Sequence, residues 1–245
     1  TLEFSREFDI LYDNISSNAA PGLNEYEKSV FLTKAQEELI SQYYSGLNAY
    51  QAGFEGNEDI RRALYELVKT YKTNVSLTSW YNISTHSKMF EILDDVFFII
   101  FEKVTLSSTD SCLNGKDVMV KPITHDEYNL SKDNPFRKPD SNKVWRMDVA
   151  TENNIKIVEL ISPSNISEYF CRYVSKPKPI ILVNFEDDPE TMGMNLTVDG
   201  LNVKTECQLN SEVHREILNR AVEMAIKTYR ENTLQNNVQL NQNKV

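Results

Sequence analysis

LNEYEKSVFLTKAQEELISQYY, residues 23–44, is the longest uninterrupted helical pattern in the first half of the chain. It contains no Pro or Gly, and Asn24 with Glu27 three residues later forms the capping-box pattern that starts a helix. On a helical wheel its apolar side chains fall on two strips. The first strip consists of Phe31, Leu32, Ala35, Leu39 and Tyr43, and the second, interrupted by Thr33 and Glu37, consists of Tyr26, Val30, Ile40 and Tyr44. The helix is therefore predicted to be covered on two sides, either by two neighbours of its own fold or by one neighbour and another subunit.

Composition limits the class of protein. The 245 residues are 40% hydrophobic, which is ample for a core, and 26 Lys and Arg against 36 Asp and Glu give a net charge of −10. Such an acidic chain is disfavoured as a general binder of DNA or of anionic membrane surfaces. The longest apolar run, residues 96–101, is far too short to span a bilayer, and the N-terminal residues show no signal-peptide pattern. We expect a soluble globular protein with no membrane partner.

Three further segments have helical periodicity. Residues 3–15 and 58–72 flank the first helix along the chain, and residues 211–230 form a strongly amphipathic helix near the end. Between these helices, residues 95–106 (DVFFIIFEKVTL) are a continuous run of aromatic and β-branched residues, typical of a strand buried on both faces. Strand signals continue to about residue 205. They include Asp199-Gly200, a dipeptide that favours a tight hairpin turn.

These elements predict an α+β fold in which the N-terminal helices and the C-terminal helix form a helical bundle, with an inserted β-rich domain. The predicted division is as follows: residues 1–73 supply the N-terminal helices of the bundle, residues 74–206 the inserted β-rich domain, and residues 207–230 the helix that completes the bundle. The Asn/Gln-rich residues 231–245 are predicted to be a flexible or partner-ordered tail.

The histidines and cysteines do not predict a metal site. None of the three histidines stands at metal-ligand spacing from another His or from a Cys. The HDEYN motif, residues 125–129, is interpreted as a polar turn or a short helix begun by Thr124, and His214 as a hydrogen-bonded residue on an apolar helix face. Three cysteines at wide spacing indicate free or buried thiols rather than a disulfide framework.

Carboxylates and glycines give no catalytic signal either. Asp94-Asp95 and residues 186–188 are adjacent acids of the kind that usually lie on solvated surface, and the seven glycines form no phosphate-binding loop. The sequence therefore predicts no catalytic residues, no metal, no cofactor and no enzymatic activity. A nuclease or hydrolase, the competing interpretation, would require four side chains to converge: Asp94, Asp95, His125 and Asp126.

Five blocks of the sequence resemble a family of virion structural proteins of crAss-like bacteriophages. The blocks are EFDILYDNISSNAAPGLNEYEKSVFLTKAQEELI (7–40), ITHDEYN (123–129), NPFRKP (134–139), YFCRYVSKPKPIIL (169–182) and LNSEVHREILNRAVEMAIKTY (209–229). The resemblance implies a ring at the portal–tail junction of the virion, that is, a head–tail connector or adaptor through which DNA passes. It further implies a ring of this chain with itself, twelvefold like the portal, and contacts with the portal protein and with neighbouring tail ring proteins.

A ring protein must bury one surface against its neighbours. The candidate oligomer or portal interface is the second strip of the first helix together with a basic, Pro-containing segment, which supplies Arg172, Tyr173, Lys176, Pro177, Lys178 and Pro179. Two other interpretations remain open at this point. One is another tail or minor head protein of the virion, and the other is a phage-encoded protein that binds a host factor in the bacterial cytoplasm.

Overall fold

The computed structural model describes residues 2–15, 22–47, 52–77, 82–152 and 155–242. Within them lie five α-helices and one seven-stranded sheet, so the predicted α+β class is confirmed. The chain divides into two compact units, one formed by the residues up to Leu67 with those from Pro177 onward, the other by Val68–Lys176. The sequence placed the inserted segment at residues 74–206, whereas the second unit begins earlier and ends earlier.

The helices are α1 (Leu2–Ile15), α2 (Glu25–Ser45), α3 (Glu58–Leu64), α4 (His125–Ser131) and α5 (His214–Gln242). All except α4 belong to the first unit. Helix α5 continues well past the predicted end at residue 230, so residues 231–242 are helical in the isolated chain. The idea that a partner orders this tail stays a prediction.

Helix α2 starts at the predicted capping box. The Asn24 Oδ1 atom accepts a hydrogen bond from the Glu27 amide at 2.8 Å, and the Asn24 amide donates to Glu27 Oε2 at 3.0 Å. The helix ends at Gly46, whose φ of 81° lies in the left-handed region that glycine adopts without strain. The local signals at both ends of this segment therefore fix the helix boundaries.

The first apolar strip of α2 faces the core of the first unit. Leu32, Ala35, Leu39 and Tyr43 are buried, Phe31 is half-buried, and the main neighbour of the helix is α5. Beside α1, Lys28 is almost fully buried and lies 2.8 Å from Asp9 and 2.9 Å from Glu25. Burial lowers the pKa of Lys28, but the hydrogen bonds to Asp9 and Glu25 more than offset this, so the net pKa is raised.

An ion pair links α2 to α5 and makes their contact sensitive to acid. Arg220 donates to Glu38, with Nε 3.2 Å from Oε2, and this hydrogen bond holds the pKa of Glu38 below its ordinary value. A carboxylate with a lowered folded-state pKa stabilises the fold above its unfolded-state pKa, and this contribution is lost as the pH falls through the folded-state pKa.

We expect the difference in free energy of unfolding between the wild type and Glu38→Gln to be largest at neutral pH. It should shrink as the pH falls below the ordinary value of 4.5. Chemical denaturation of both proteins across the acid range measures this difference. A difference that grows towards low pH would contradict the assignment of the pair.

The predicted helix over residues 58–72 is wrong in its second half. Helix α3 stops at Leu64, a 3-10 turn covers Tyr65–Leu67, and the following residues form strand β1 (Val68–Thr73). Strand β1 pairs along its whole length with β7 (Asn165–Ser175). The helical spacing of the apolar residues continues into this segment, but pairing with a strand about a hundred residues away overrides the local pattern.

The sheet of the second unit contains β1, β2 (Ser87–Ile92), β3 (Val96–Ser107), β4 (Asp117–Pro122), β5 (Lys143–Glu152), β6 (Ile155–Ile161) and β7. The strand order is β1-β7-β3-β4-β5-β6-β2, and the pairs are antiparallel except for β4 with β5. Inward-facing side chains of β2 to β7 belong to a single buried cluster, against which Tyr71 of β1 packs. The sheet therefore curls around its own core.

Residues 177–210 return to the first unit with little regular structure. Two isolated bridges, Ile181 with Thr205 and Val198 with Leu201, hold this segment together. Asp199 and Gly200 have φ values of 50° and 78°, so the predicted tight turn at this dipeptide is confirmed.

Candidate interaction surfaces

The second strip of α2 contacts residues of its own chain. Tyr26 and Val30 pack against a cluster of Ile181, Phe185 and Val198, and the rings of Tyr26 and Phe185 meet edge to face at 5.3 Å. Ile40 is fully buried, and Tyr44 is half-buried. The sequence predicted that this strip is covered either by a neighbour within the fold or by another subunit. For Tyr26 and Val30, a neighbour within the fold covers the side chains.

Three polar residues of α2, among them Thr33, which interrupts the apolar strip, hold the segment that covers this strip. Thr33 Oγ1 accepts from the Ile180 amide at 3.1 Å, and Ser29 Oγ accepts from the Leu182 amide at 3.1 Å. Gln36 Nε2 donates to the Lys178 carbonyl at 3.0 Å. These side chains therefore satisfy backbone groups of residues 178–182 that face α2. Their spacing of four and three residues along α2 is the signal that could have identified them.

The basic, Pro-containing segment of the candidate interface is only partly accessible. Pro177 and Pro179 are buried, whereas Lys176 and Lys178 are exposed. In strand β7, Arg172 is exposed, but Tyr173 is buried and its hydroxyl donates to Asp95 at 3.0 Å. Of the ten candidate interface residues, only Arg172, Lys176 and Lys178 are exposed.

An ion pair lies inside the curled sheet. Arg146 of β5 donates to Glu102 of β3 at 2.7 Å, and the Tyr169 hydroxyl of β7 donates to the same carboxylate. Burial raises the pKa of Tyr169, and for Arg146 the attraction of Glu102 outweighs the lowering effect of burial. Burial likewise raises the pKa of the adjacent Cys171 thiol to about 12, which leaves it unreactive at neutral pH. The cluster joins three strands and has the character of a structural element.

Half of the outer sheet face is covered by the second unit itself. Tyr128 of α4 packs on Trp145, with ring centroids 6.3 Å apart, over a small cluster on β5 and β6. The fully buried Glu159 of β6 accepts hydrogen bonds from the amides of Ile83 at 2.9 Å and Ser84 at 3.3 Å. These bonds hold the loop before β2 against β6, the strand that pairs with β2.

The other half of the outer face, on β1, β7, β3 and β4, is exposed. Phe101 is 45% and Met119 66% exposed, so β3 is not buried on both faces as predicted. Phe170 lies 6.3 Å from Phe101, and the Lys103 ammonium lies 5.3 Å from the Phe170 ring. Charged residues surround these apolar side chains: Lys72 pairs with Glu168, Lys103 pairs with Asp117, and Arg172 lies beside Phe101 in the strand register. We call this surface the open sheet face.

The described residues show no arrangement for metal chemistry. No group of three or more His, Cys, Asp or Glu side chains that could hold a metal ion occurs among them. Asp95 is paired with Lys69, at 2.8 Å, and His125 and Asp126 lie in the first turn of α4, capped by Thr124 as predicted. His214 is hydrogen-bonded to the Leu209 carbonyl at 2.9 Å, as expected.

None of the helices in the described part of the chain is both long and apolar enough to cross a membrane. The three cysteines are free, with Cys112 exposed, Cys171 buried and Cys207 in between, as the sequence indicated. Chemistry at these side chains therefore gives no indication of function, and the open sheet face is the surface that calls for an explanation.

Comparisons with known proteins give consistent results. The sequence model of the family described as "Phage tail ring protein 3/4" matches residues 1–237. The chain is 42% identical over 226 residues to ring protein 3 of Bacteroides phage crAss001, covering 91% of this chain and 94% of that protein. It is also 37% identical over 244 residues to ring protein 4/5 of the same phage, covering 98% of this chain and 97% of that protein.

Proposed function

Because the chain belongs to the phage tail ring protein 3/4 family, we propose that it forms a closed ring at the portal–tail junction of a crAss-like phage virion. In this position it is a head–tail connector or adaptor through which DNA passes. The family match over residues 1–237 carries the proposal. Both relatives, which match this chain over nearly their whole length, are named ring proteins. The portal's rotational symmetry makes twelve copies the expected number.

Charge supports a passive role towards DNA. A net charge of −10 disfavours the release of counterions that makes protein–DNA binding tight. A connector lumen must let DNA slide without holding it. An acidic chain without a catalytic arrangement among its described residues suits this task, and we assign it no enzymatic activity and no cofactor.

The open sheet face is the surface that we expect to contact the adjacent ring in the stack. This ring is either the portal or a neighbouring tail ring protein. It combines exposed apolar side chains at its centre with charged pairs around them, which is the usual anatomy of an interface between proteins. Arg172, the exposed member of the candidate set on this face, adds a positive charge beside Phe101. Exposed Lys176 and Lys178 are further candidate contacts from the same set.

We expect the double variant Met119→Glu/Arg172→Glu to weaken binding to the portal or to another ring protein of the phage by about 10–100-fold, as loss of an interface centre does. Surface-immobilised portal and each purified ring protein serve as probes. The control is Val75→Glu/Lys34→Glu, which removes the same charge at exposed positions outside the face. Equal binding by both variants would argue against this use of the face.

A ring further along the tail is the second candidate, supported by the family description "Phage tail ring protein". Gold-labelled antibodies against the chain, imaged on purified virions, distinguish the two positions. Label at the junction below the capsid is expected. Label only lower on the tail would favour the second candidate. A chain absent from virions would overturn both and leave a host-factor-binding protein.

A further inference from the structure

A turn in the second unit presents an aromatic side chain to solvent. Phe136 is 95% exposed in the turn that follows α4. The turn is held by Asn134, whose Oδ1 accepts from the Phe136 amide at 3.0 Å and whose carbonyl accepts from the Arg137 and Lys138 amides at 3.1 Å and 3.0 Å. Pro135 and Pro139 restrict the backbone on either side. We call residues 134–139 the Phe136 turn.

An exposed aromatic side chain leaves a large apolar surface in water. Aromatic side chains have few rotatable bonds, so they lose little conformational entropy on binding, and they often dominate the energy of an interface. The Phe136 turn, with its hydrogen-bonded backbone and exposed ring, therefore has the properties of an interface anchor. It carries two exposed basic side chains, Arg137 and Lys138, next to the ring.

The first unit contains a groove of suitable chemistry between α1 and α5. Its volume is about 570 Å³, and its apolar lining consists of Phe4, Ile10, Leu11 and Leu218. Ile10 is 61% exposed, so part of the apolar lining is in contact with solvent. Glu3, Glu7 and Arg215 also line the groove, so its charged groups are two acids and one base.

We propose that the Phe136 turn of one copy inserts into the α1–α5 groove of the next copy in the ring, an inference that rests on the proposed function. The ring of Phe136 would occupy the apolar lining, and Arg137 and Lys138 would approach Glu3 and Glu7. Arg215 opposes this attraction in part, so apolar burial is the main contribution.

The proposed occupant is a second copy, because Phe136 is 95% exposed in the single chain and its two basic neighbours complement the two acids that line the groove. The contact joins two different surfaces of the same protein. Such a head-to-tail contact leaves one free turn and one free groove in every incomplete assembly, and it is satisfied everywhere only when the ring closes.

Phe136→Ala tests the turn. We expect the dissociation constant between subunits to rise by about 30-fold or more, the effect of removing an aromatic anchor. The matched control is Leu130→Ala, which truncates another highly exposed apolar residue of the same unit (83% exposed) and should change the constant by less than about twofold. Equal effects of the two substitutions would contradict the proposal.

A mixing experiment tests the pairing of turn and groove. Ile10→Glu places a charge in the groove at an exposed position, so that the chain keeps its turn but loses its receptor. Each variant alone should be monomeric in native mass spectrometry. When the two variants are mixed, the intact groove of Phe136→Ala can accept the intact turn of Ile10→Glu. One-to-one heterodimers should therefore form, and no larger species. Phe4→Ala, which removes part of the apolar lining without adding a charge, replaces Ile10→Glu should the latter not fold.

The outcomes separate this inference from the proposed function. If the wild type and both variants all form rings, the turn-and-groove contact is overturned and the ring function is unaffected. Variants that fail to form rings alone and also form no heterodimer on mixing would likewise overturn the pairing. A wild-type chain that stays monomeric with and without the portal would overturn the proposed function itself.

Discussion

Replacing Arg146 by Met is expected to lower the free energy of unfolding by about 3–5 kcal/mol, the cost of removing one partner from a buried ion pair. Glu102 is 6% exposed and, among the described residues, would keep the Tyr169 hydroxyl as its one hydrogen-bond partner. A carboxylate left in the interior of the sheet must either stay charged without its counterion or take up a proton. Both alternatives disfavour the folded state.

Urea denaturation followed by tryptophan fluorescence measures this effect, because Trp145 is buried in the same unit. The matched control is Lys72→Met, which breaks the exposed pair with Glu168 and should cost less than about 1 kcal/mol. The double variant Glu102→Leu/Arg146→Met removes both charges and should regain most of the loss. A loss below about 1 kcal/mol for Arg146→Met alone would show that the pair is not shielded from water.

The double substitution Ser29→Ala/Thr33→Val should lower the free energy of unfolding by about 2–6 kcal/mol, since two buried amides lose their acceptors at about 1–3 kcal/mol each. The amides are those of Leu182 and Ile180, which donate to Ser29 and Thr33. Among the described residues, no neighbouring strand offers either amide another acceptor. Thr33→Val keeps the shape of the side chain, so lost hydrogen bonding rather than lost packing is measured.

Hydrogen exchange gives a second measurement for the same variant. We expect faster exchange of the Ile180 and Leu182 amides than in the wild type, because their bonds to α2 are gone. Ser45→Ala is the control, since the exposed Ser45 hydroxyl donates to the Ser41 and Gln42 carbonyls of its own helix. It should alter stability by less than about 0.5 kcal/mol. Unchanged exchange in the double variant would mean that residues 178–182 are held by packing alone.

Local patterns in the sequence predicted those elements whose signals are themselves local. The capping box at Asn24, the Thr124 cap of α4 and the turn at Asp199-Gly200 depend on neighbouring residues and are all confirmed. The end of α3 was missed because strand β1 depends on pairing with β7, which no short window of sequence contains. The prediction that β3 is buried on both faces was also wrong. In the second half of the strand, Lys103 and Thr105 alternate with apolar residues, and this alternation indicates one exposed face.

The surfaces were harder to predict than the elements. A helical wheel identifies an apolar strip, but it does not show that Tyr26 and Val30 are covered by residues 181–198 of the same chain. The open sheet face brings together side chains from four strands, so its members are distant in sequence. Phe136 carried no periodic signal because it lies in a turn.

Native mass spectrometry of the purified chain, alone and mixed with the portal protein of its phage, tests the ring function most directly. We predict a single closed oligomer, or a complex with one copy of the chain for each portal subunit. A chain that remains monomeric at every concentration and does not bind the portal would contradict the account.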